Sequence, residues 1–181
     1  GAGSGTVTAS ANFRVDEYRA PQFRVDVSTP KKSLVAGETL EGNVSARYLF
    51  GGAMNDAQAK WSVHRETTSF SAESMPDFTF SQETWWWNDE QPEVSNSFFA
   101  SGEGRVDANG TLGVKAGTTE ALGERPYSYT FEAEVTDVNR QAVAGRVDVT
   151  VHPAAFYVGL RSKAYFMEVN TEYPIETVVT D

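Results

Sequence analysis

Apolar and polar residues alternate along much of this chain. Phe23, Val25 and Val27 fall on one side of an extended segment, with Arg24 and Asp26 on the other. That period of two is what a half-buried β-strand requires. Leu40, Gly42, Val44, Ala46 and Tyr48 alternate in the same way with Glu41, Asn43, Ser45 and Arg47. The pattern returns over residues 58–65, with Ala59, Trp61 and Val63 inward and Trp61 as a core anchor between two sheets. It returns again over residues 127–136, with Tyr127, Tyr129, Phe131, Ala133 and Val135 inward, and over residues 143–151, where the inward set is Val143, Gly145, Val147, Val149 and Val151. Helical spacing is nearly absent. Turns are marked by Ala36-Gly37-Glu38, by Gly51-Gly52 with Asn55-Asp56, and by residues 137–141. Lys31 and Lys32 fall in the turn after the first strand. Asn109-Gly110 predicts a hairpin with a return strand over residues 111–115.

Two places break this rhythm in the same way. Residues 13–27, FRVDEYRAPQFRVDV, read as a strand ending at Tyr18, a stiff joint at Pro21, and a new strand from Phe23. Proline fixes its own φ and holds Ala20 extended, so one strand passes to the next without a hairpin. Residues 145–158, GRVDVTVHPAAFYV, repeat the construction, with His152-Pro153 at the joint. The spacing predicts three parts: the last strand of a preceding domain in residues 1–20, a complete domain in residues 21–153, and the opening strands of a following one in residues 154–181. Two or three strands cannot bury a core by themselves. The complete domain is expected to be all-β, an antiparallel sandwich of about seven strands with an immunoglobulin- or fibronectin-III-like architecture. Residues 66–104 are less regular and read as an insertion, with short strands around 78–80 and 98–101.

Composition narrows the function classes. The chain has 181 residues, 40% of them hydrophobic, which is room for one domain and part of another. A formal net charge of −10 argues against nucleic acid and against an anionic membrane surface. No apolar run approaches the ~18–20 residues of a membrane helix. The opening GAGSGTVTAS lacks the basic and apolar parts of a signal peptide and reads as an interior segment of a longer protein or an expression scar. With no cysteine, disulfides, thiolate metal sites and Cys nucleophiles are excluded from these residues.

The chemistry-bearing residues are few. His64 and His152 are the two histidines, and no G-x-S-x-G accompanies them. Asp107/Asn109 and Asp137/Asn139 offer alternate oxygen ligands but lack the rest of a calcium loop, and a β-turn accounts for both. Asp89, Glu90 and Glu93 share one loop, which does not place two carboxyls across a glycosidic bond. No catalytic, cofactor-binding or metal-binding residue is expected, and no cofactor. Trp85, Trp86 and Trp87 cannot all face one core in an extended segment. They are candidates for a contact patch or a sugar-stacking platform, or for a loop folded back over the sandwich. Tyr18, Pro21, His152 and Pro153 are the candidate joint residues.

Three stretches together resemble the bacterial alpha-2-macroglobulins, large chains of tandem macroglobulin-like β-sandwich domains. They are the joint at residues 13–27, ARYLFGGAMNDAQAKWSV at 46–63, and EAEVTDVNRQAVAGRVDVTVHPAAFYVGL at 132–160. The features that carry the resemblance are Glu17 to Pro21 before a new strand, Tyr48 to Gly51 before a loop, and Val135-Thr136-Asp137 with Arg140-Gln141 leading to His152-Pro153. Residues 66–104 carry none of it. The resemblance implies a parent protein that traps proteases after cleavage of a bait segment. The reactive thioester found in such proteins needs a Cys–Gln pair and would lie outside these residues. This segment would be a non-catalytic scaffold module. Its partners would be neighbouring macroglobulin-like domains and, through the parent, target proteases. Its location would be periplasmic or attached to the cell envelope, with membrane contact only through an anchor elsewhere. The alternative is a glycan- or surface-binding Ig-like module that uses the tryptophan loop.

Overall fold

The structure is a computed structural model that describes residues 20, 22–80, 97–164, 166 and 168–181. These form ten strands: β1 (Phe23–Ser28), β2 (Ser33–Val35), β3 (Thr39–Tyr48), β4 (Gln58–Thr67), β5 (Ser97–Arg105), β6 (Thr111–Thr118), β7 (Tyr127–Thr136), β8 (Ala142–His152), β9 (Tyr157–Ser162) and β10 (Ile175–Thr180). A three-stranded sheet, β1-β3-β6, faces a five-stranded sheet, β2-β8-β7-β4-β5, and β9 and β10 form a separate pair. The all-β sandwich read from the alternation is the observed fold.

β7 is the spine of the larger sheet. It pairs along its whole length with β4, from Tyr127↔Thr67 to Thr136↔Gln58, and with β8, from Tyr127↔Val151 to Thr136↔Ala142. Its inward residues Tyr127, Tyr129, Phe131, Ala133 and Val135 are all buried. Val25, Leu40, Val44 and Ala46 meet them from the smaller sheet. Phe131 reaches across the core to Gly42 on β3, where an added Cβ would lie 2.9 Å from the ring's Cζ. The half-buried Trp61 stacks on Phe131 with centroids 5.8 Å apart. The same indole covers Gly102, its register partner on β5, where a Cβ would sit 2.6 Å from the ring.

Four expectations are corrected. Residues 33–35, to which the alternation assigned no element, form β2, and β2 pairs parallel with β8, so the larger sheet is mixed rather than antiparallel, and eight strands precede Pro153 among the described residues where about seven were expected. Leu34 is its one buried side chain, and three residues carry no alternation that distinguishes a strand from a turn. β5 runs well past residues 98–101, to Arg105. Its inward positions 102 and 104 are glycines whose space is filled by Trp61 and Leu112, so the apolar signal lies on its neighbours. Around residues 78–80 there is only a single bridge, Thr79↔Leu160. Asn109-Gly110 does turn the chain, but it carries it from the larger sheet to the smaller one, where β6 pairs with β3.

That crossover is fixed locally. Asp107 Oδ1 accepts the amides of Asn109 at 2.9 Å and Thr111 at 2.8 Å, and Oδ2 accepts the Thr111 hydroxyl at 3.0 Å. These bonds hold the Asp107 carboxyl below the usual carboxylate range, with the Thr111 amide contributing most. Gly110 sits at φ 76° and accepts the Ala46 amide through its carbonyl. A Cβ there would meet the Ala46 oxygen at 2.4 Å. The crossover is therefore bolted to β3, which a free hairpin would not allow.

Replacing Gly42 by alanine should force the Phe131 ring out of its position. The expected loss is about 1–3 kcal/mol, the usual cost of overpacking a filled core, read from the urea midpoint at unchanged slope. A midpoint equal to that of the unmodified chain would show that the ring has room to move.

Candidate functional site at the joint after β8

β8 ends at His152, held on one side by β2 (Val35↔His152) and pinned by the Ala36 amide, which donates to the His152 carbonyl at 2.8 Å. Residues 153–156 bend, and β9 begins at Tyr157. The stretch after β4, residues 68–80, runs across to meet it. The Thr68 amide donates to the Pro126 carbonyl at 2.9 Å. Two short turns come next, with the Met75 amide donating to Ala72 and the Phe78 amide to Met75. Thr79 and Leu160 then exchange both backbone hydrogen bonds at 2.9 Å, which adds one rung of sheet to the edge of β9. This stretch is a strap laid over β9.

Aromatic rings fill the space beneath it. Phe70 stacks on Tyr157, with centroids 3.9 Å apart and planes 5° from parallel. It also meets Phe80 edge-on at 5.3 Å and His152 edge-on at 6.2 Å. Edge-on and stacked arrangements are the favourable ones for ring quadrupoles. Phe80 lies on Gly159, where a Cβ would come within 2.6 Å of the ring. Further along β9, the Arg161 guanidinium sits 4.5 Å from the Phe78 ring centroid. It donates to Asp77 at 3.4 Å and forms a two-point contact with Glu176 on β10. Lys163 reaches the same Glu176 at 2.7 Å. The hydrogen bonds from Lys163 and then Arg161 pull the Glu176 carboxyl down to about 2.

The polar contact inside the ring cluster joins His152 Nδ1 to the Tyr157 hydroxyl at 2.6 Å. Burial pushes the Tyr157 phenol up to about 12, so it keeps its proton at neutral pH. The hydroxyl therefore donates to Nδ1 of the neutral imidazole, which leaves the ring proton on Nε2. Burial also lowers the His152 pKa from its ordinary 6.5. The pair is a part-buried tether between the end of β8 and the start of β9.

Of the residues singled out from the sequence, His152 and Pro153 lie at this site, and Tyr18, Pro21, Trp85, Trp86 and Trp87 fall outside the described residues. His64 is exposed on β4, edge-on to Phe98 at 6.0 Å. Asp137 Oδ1 accepts the Asn139 and Gln141 amides at 2.8 Å, as a turn residue does. No group of three or more metal-binding side chains occurs among the described residues. Sequence reasoning missed Phe70, Asp77, Phe78, Phe80 and Arg161. Their one signal was the density of phenylalanines in an otherwise polar, irregular stretch.

The first strand of the sandwich and the first strand after the joint echo each other. β1 and β9 are both six residues long, start with a buried aromatic (Phe23 or Tyr157), and share one order of buried and exposed positions. Each has an antiparallel partner later in the chain, β3 for β1 and β10 for β9. The face of β9–β10 turned away from the strap carries Val158, Leu160, Ile175 and Val179, all exposed.

The described residues thus form a two-sheet β-sandwich followed by a further antiparallel strand pair. Residues 22–153 match the family model described as the bacterial alpha-2-macroglobulin MG5 domain. The chain is 27% identical over 179 residues to an alpha-2-macroglobulin homolog of Nostoc sp., covering 99% of this chain and 9% of that protein. Among solved structures, Escherichia coli alpha-2-macroglobulin activated by porcine elastase superposes with a TM-score of 0.64 at 14% identity, covering 91% of this chain and 14% of that one. Salmonella alpha-2-macroglobulin reacted with methylamine gives 0.63 at 16% identity, covering 91% and 10%. The chain belongs to the bacterial alpha-2-macroglobulin family, and it spans about a tenth of the length of these relatives.

The lowered pKa of His152 sets a pH dependence. A folded state that disfavours the charged ring binds fewer protons than the unfolded chain below 6.5. The contribution to stability is complete above that value and falls as pH drops through the folded midpoint. An NMR titration of the His152 ring should give a midpoint below 6.5, together with the Nε2–H tautomer. A midpoint at or above 6.5 would mean that the ring is not enclosed.

Proposed function

We propose that this chain is a non-catalytic structural module of a bacterial alpha-2-macroglobulin-like protease inhibitor, one that traps the proteases attacking it. On this reading residues 21–153 are one macroglobulin-like sandwich with an insertion at about 66–104, residues 1–20 bring in the last strand of a preceding domain, and residues 154–181 open a following one. The observation that carries this reading is the strap over β9. Phe70 on Tyr157, Phe80 on Gly159 and Arg161 between Phe78 and Glu176 pack the outgoing strands against the strap. Such a joint passes position and force along a chain of domains, which is the task of a scaffold element in a trap that rearranges as a unit. The echo of β1–β3 in β9–β10, and the exposed apolar face of the latter, support an opening domain whose second sheet would cover that face. Periplasmic or envelope placement belongs to the same proposal and rests on the family. The alternative, a glycan- or surface-binding Ig-like module, depends on Trp85, Trp86 and Trp87, which lie outside the described residues.

The test uses the intact parent protein in molar excess over a trypsin-like protease. Residual activity is compared on a small peptide and on a large protein substrate. Peptide cleavage should persist while protein cleavage is lost, as expected for a caged protease. With Phe70→Ala and Phe80→Ala introduced together, protein cleavage should partly return. Equal protease activity on both substrates with the unmodified parent would contradict the proposal.

A further inference from the structure

β3 runs further than the strand beside it. Its register with β1 goes from Phe23↔Tyr48 to Ser28↔Asn43 and stops, while β3 reaches back to Thr39. Two residues beyond Ser28, the same register would set Pro30 opposite Glu41. Proline has no N–H to offer a neighbouring strand, so the ladder ends there. Successive strand residues turn their amide and carbonyl groups to opposite sides. On β3 the even positions face β6: the Ala46 amide donates to the Gly110 carbonyl, and the Glu38 carbonyl just before the strand accepts the Thr119 amide. The odd positions face the β1 side, where the Leu49 amide just after the strand donates to the Gln22 carbonyl. Thr39 and Glu41 therefore turn their backbone groups to the side that β1 has vacated. Among the described residues no backbone hydrogen bond meets them there. Beside this open edge lies a cavity of about 220 Å³. Pro30, Thr39 and Glu41 line it, together with the apolar side chains of Leu34 (6% exposed) and Leu40 (1%).

We propose that this edge of β3 docks an extended segment of another polypeptide, one that carries an aliphatic side chain flanked by Lys or Arg. The segment adds to β3 at Thr39 and Glu41 through its main chain, as strands add to other exposed sheet edges. The cavity is smaller than the roughly 300–1,000 Å³ of sites for free small molecules, and it suits one side chain delivered by a strand. Alternation along that strand sets the rest. The residue facing Leu34 and Leu40 is aliphatic, because both of those side chains are apolar and buried. Its two neighbours point to the outer face of the sheet, where Thr39 and Glu41 stand. Lys31 is already taken up by Glu38 at 2.5 Å. Glu41 holds only Lys115, at 3.2 Å and with that side chain 80% exposed, a pair that is weak and readily exchanged. The charge on offer at the rim is thus negative, on a chain of net charge −10, and it selects a basic segment. The same net charge disfavours a second copy as the occupant. This goes beyond the trap proposal, and its test involves no protease.

The experiment is an NMR titration of the 181-residue chain, with labelled methyl groups and backbone amides. The probe is the blocked peptide Val-Lys-Leu-Lys-Val. Saturable shifts should appear at the Thr39 and Glu41 amides and at the Leu34 and Leu40 methyls, with a Kd of about a millimolar for so short an edge. The two amides should also exchange more slowly with the peptide bound. Val-Glu-Leu-Glu-Val should bind at least about fivefold more weakly, and Val-Lys-Ser-Lys-Val should leave the methyls unmoved. Glu41→Lys should weaken the lysine peptide by a similar factor and strengthen the glutamate peptide, with the amides of β4, β7 and β8 unshifted. The absence of saturable shifts at these residues would overturn the proposal, as would equal binding of the two charged peptides or indifference to Glu41→Lys. So would slow exchange of both amides in the free chain. The occupant would then be the chain itself if it sediments as a monomer, and a second copy if it sediments as a dimer.

Discussion

The structure depends on rings lying where a glycine leaves no side chain. Phe131 crosses the core onto Gly42 and sets how closely the two sheets approach. Trp61 lies on Gly102 and draws the edge strand β5 onto the larger sheet. Phe80 lies on Gly159 and brings the strap down onto β9. In each case ring atoms approach bare backbone closely enough for dispersion contacts where a side chain would otherwise stand. A single added Cβ in any of the three places would collide at under 3 Å. The same device therefore fixes the spacing inside the sandwich and the position of the strand pair beyond it.

Electrostatics contributes less to this arrangement. Lys60–Glu103, Arg105–Asp56 and Lys115–Glu41 are exposed pairs, each worth at most about 1 kcal/mol. The polar groups that matter are those that complete backbone structure. Asp107 and Asp137 each collect two turn amides, and Glu38 accepts the Val35 amide at 2.7 Å while holding Lys31. Acidic side chains at turns thus serve geometry, and the net charge of −10 is otherwise a property of the solvated surface.

Much of the sandwich is legible in the sequence, because β1, β3, β4, β7 and β8 each bury alternate residues over enough length to show a period of two. What escapes is whatever takes its apolar partner from elsewhere. β5 offers glycines where its neighbours offer rings, and β2 is too short to show a pattern. The Asn109-Gly110 turn has hairpin chemistry, yet the Gly110–Ala46 contact that decides its path joins residues far apart in sequence. The joint shows the same division. His152-Pro153 is a local signal and could be picked out, whereas Phe70 on Tyr157 pairs a residue of an irregular stretch with one on a strand far downstream. No local rule links the two.

The central claim is that the strap makes the outgoing strands continuous with the sandwich. The chain has no cysteine, so two introduced ones can carry spin labels without interference. Glu132 on β7 and Thr177 on β10 are exposed and suit the purpose. Pulsed electron–electron resonance between labels at these two sites should give one narrow distance distribution, and Phe70→Ala with Phe80→Ala should broaden it. A broad distribution in the otherwise unmodified chain would mean that the joint is a hinge, and the account of a stiff scaffold module would fail.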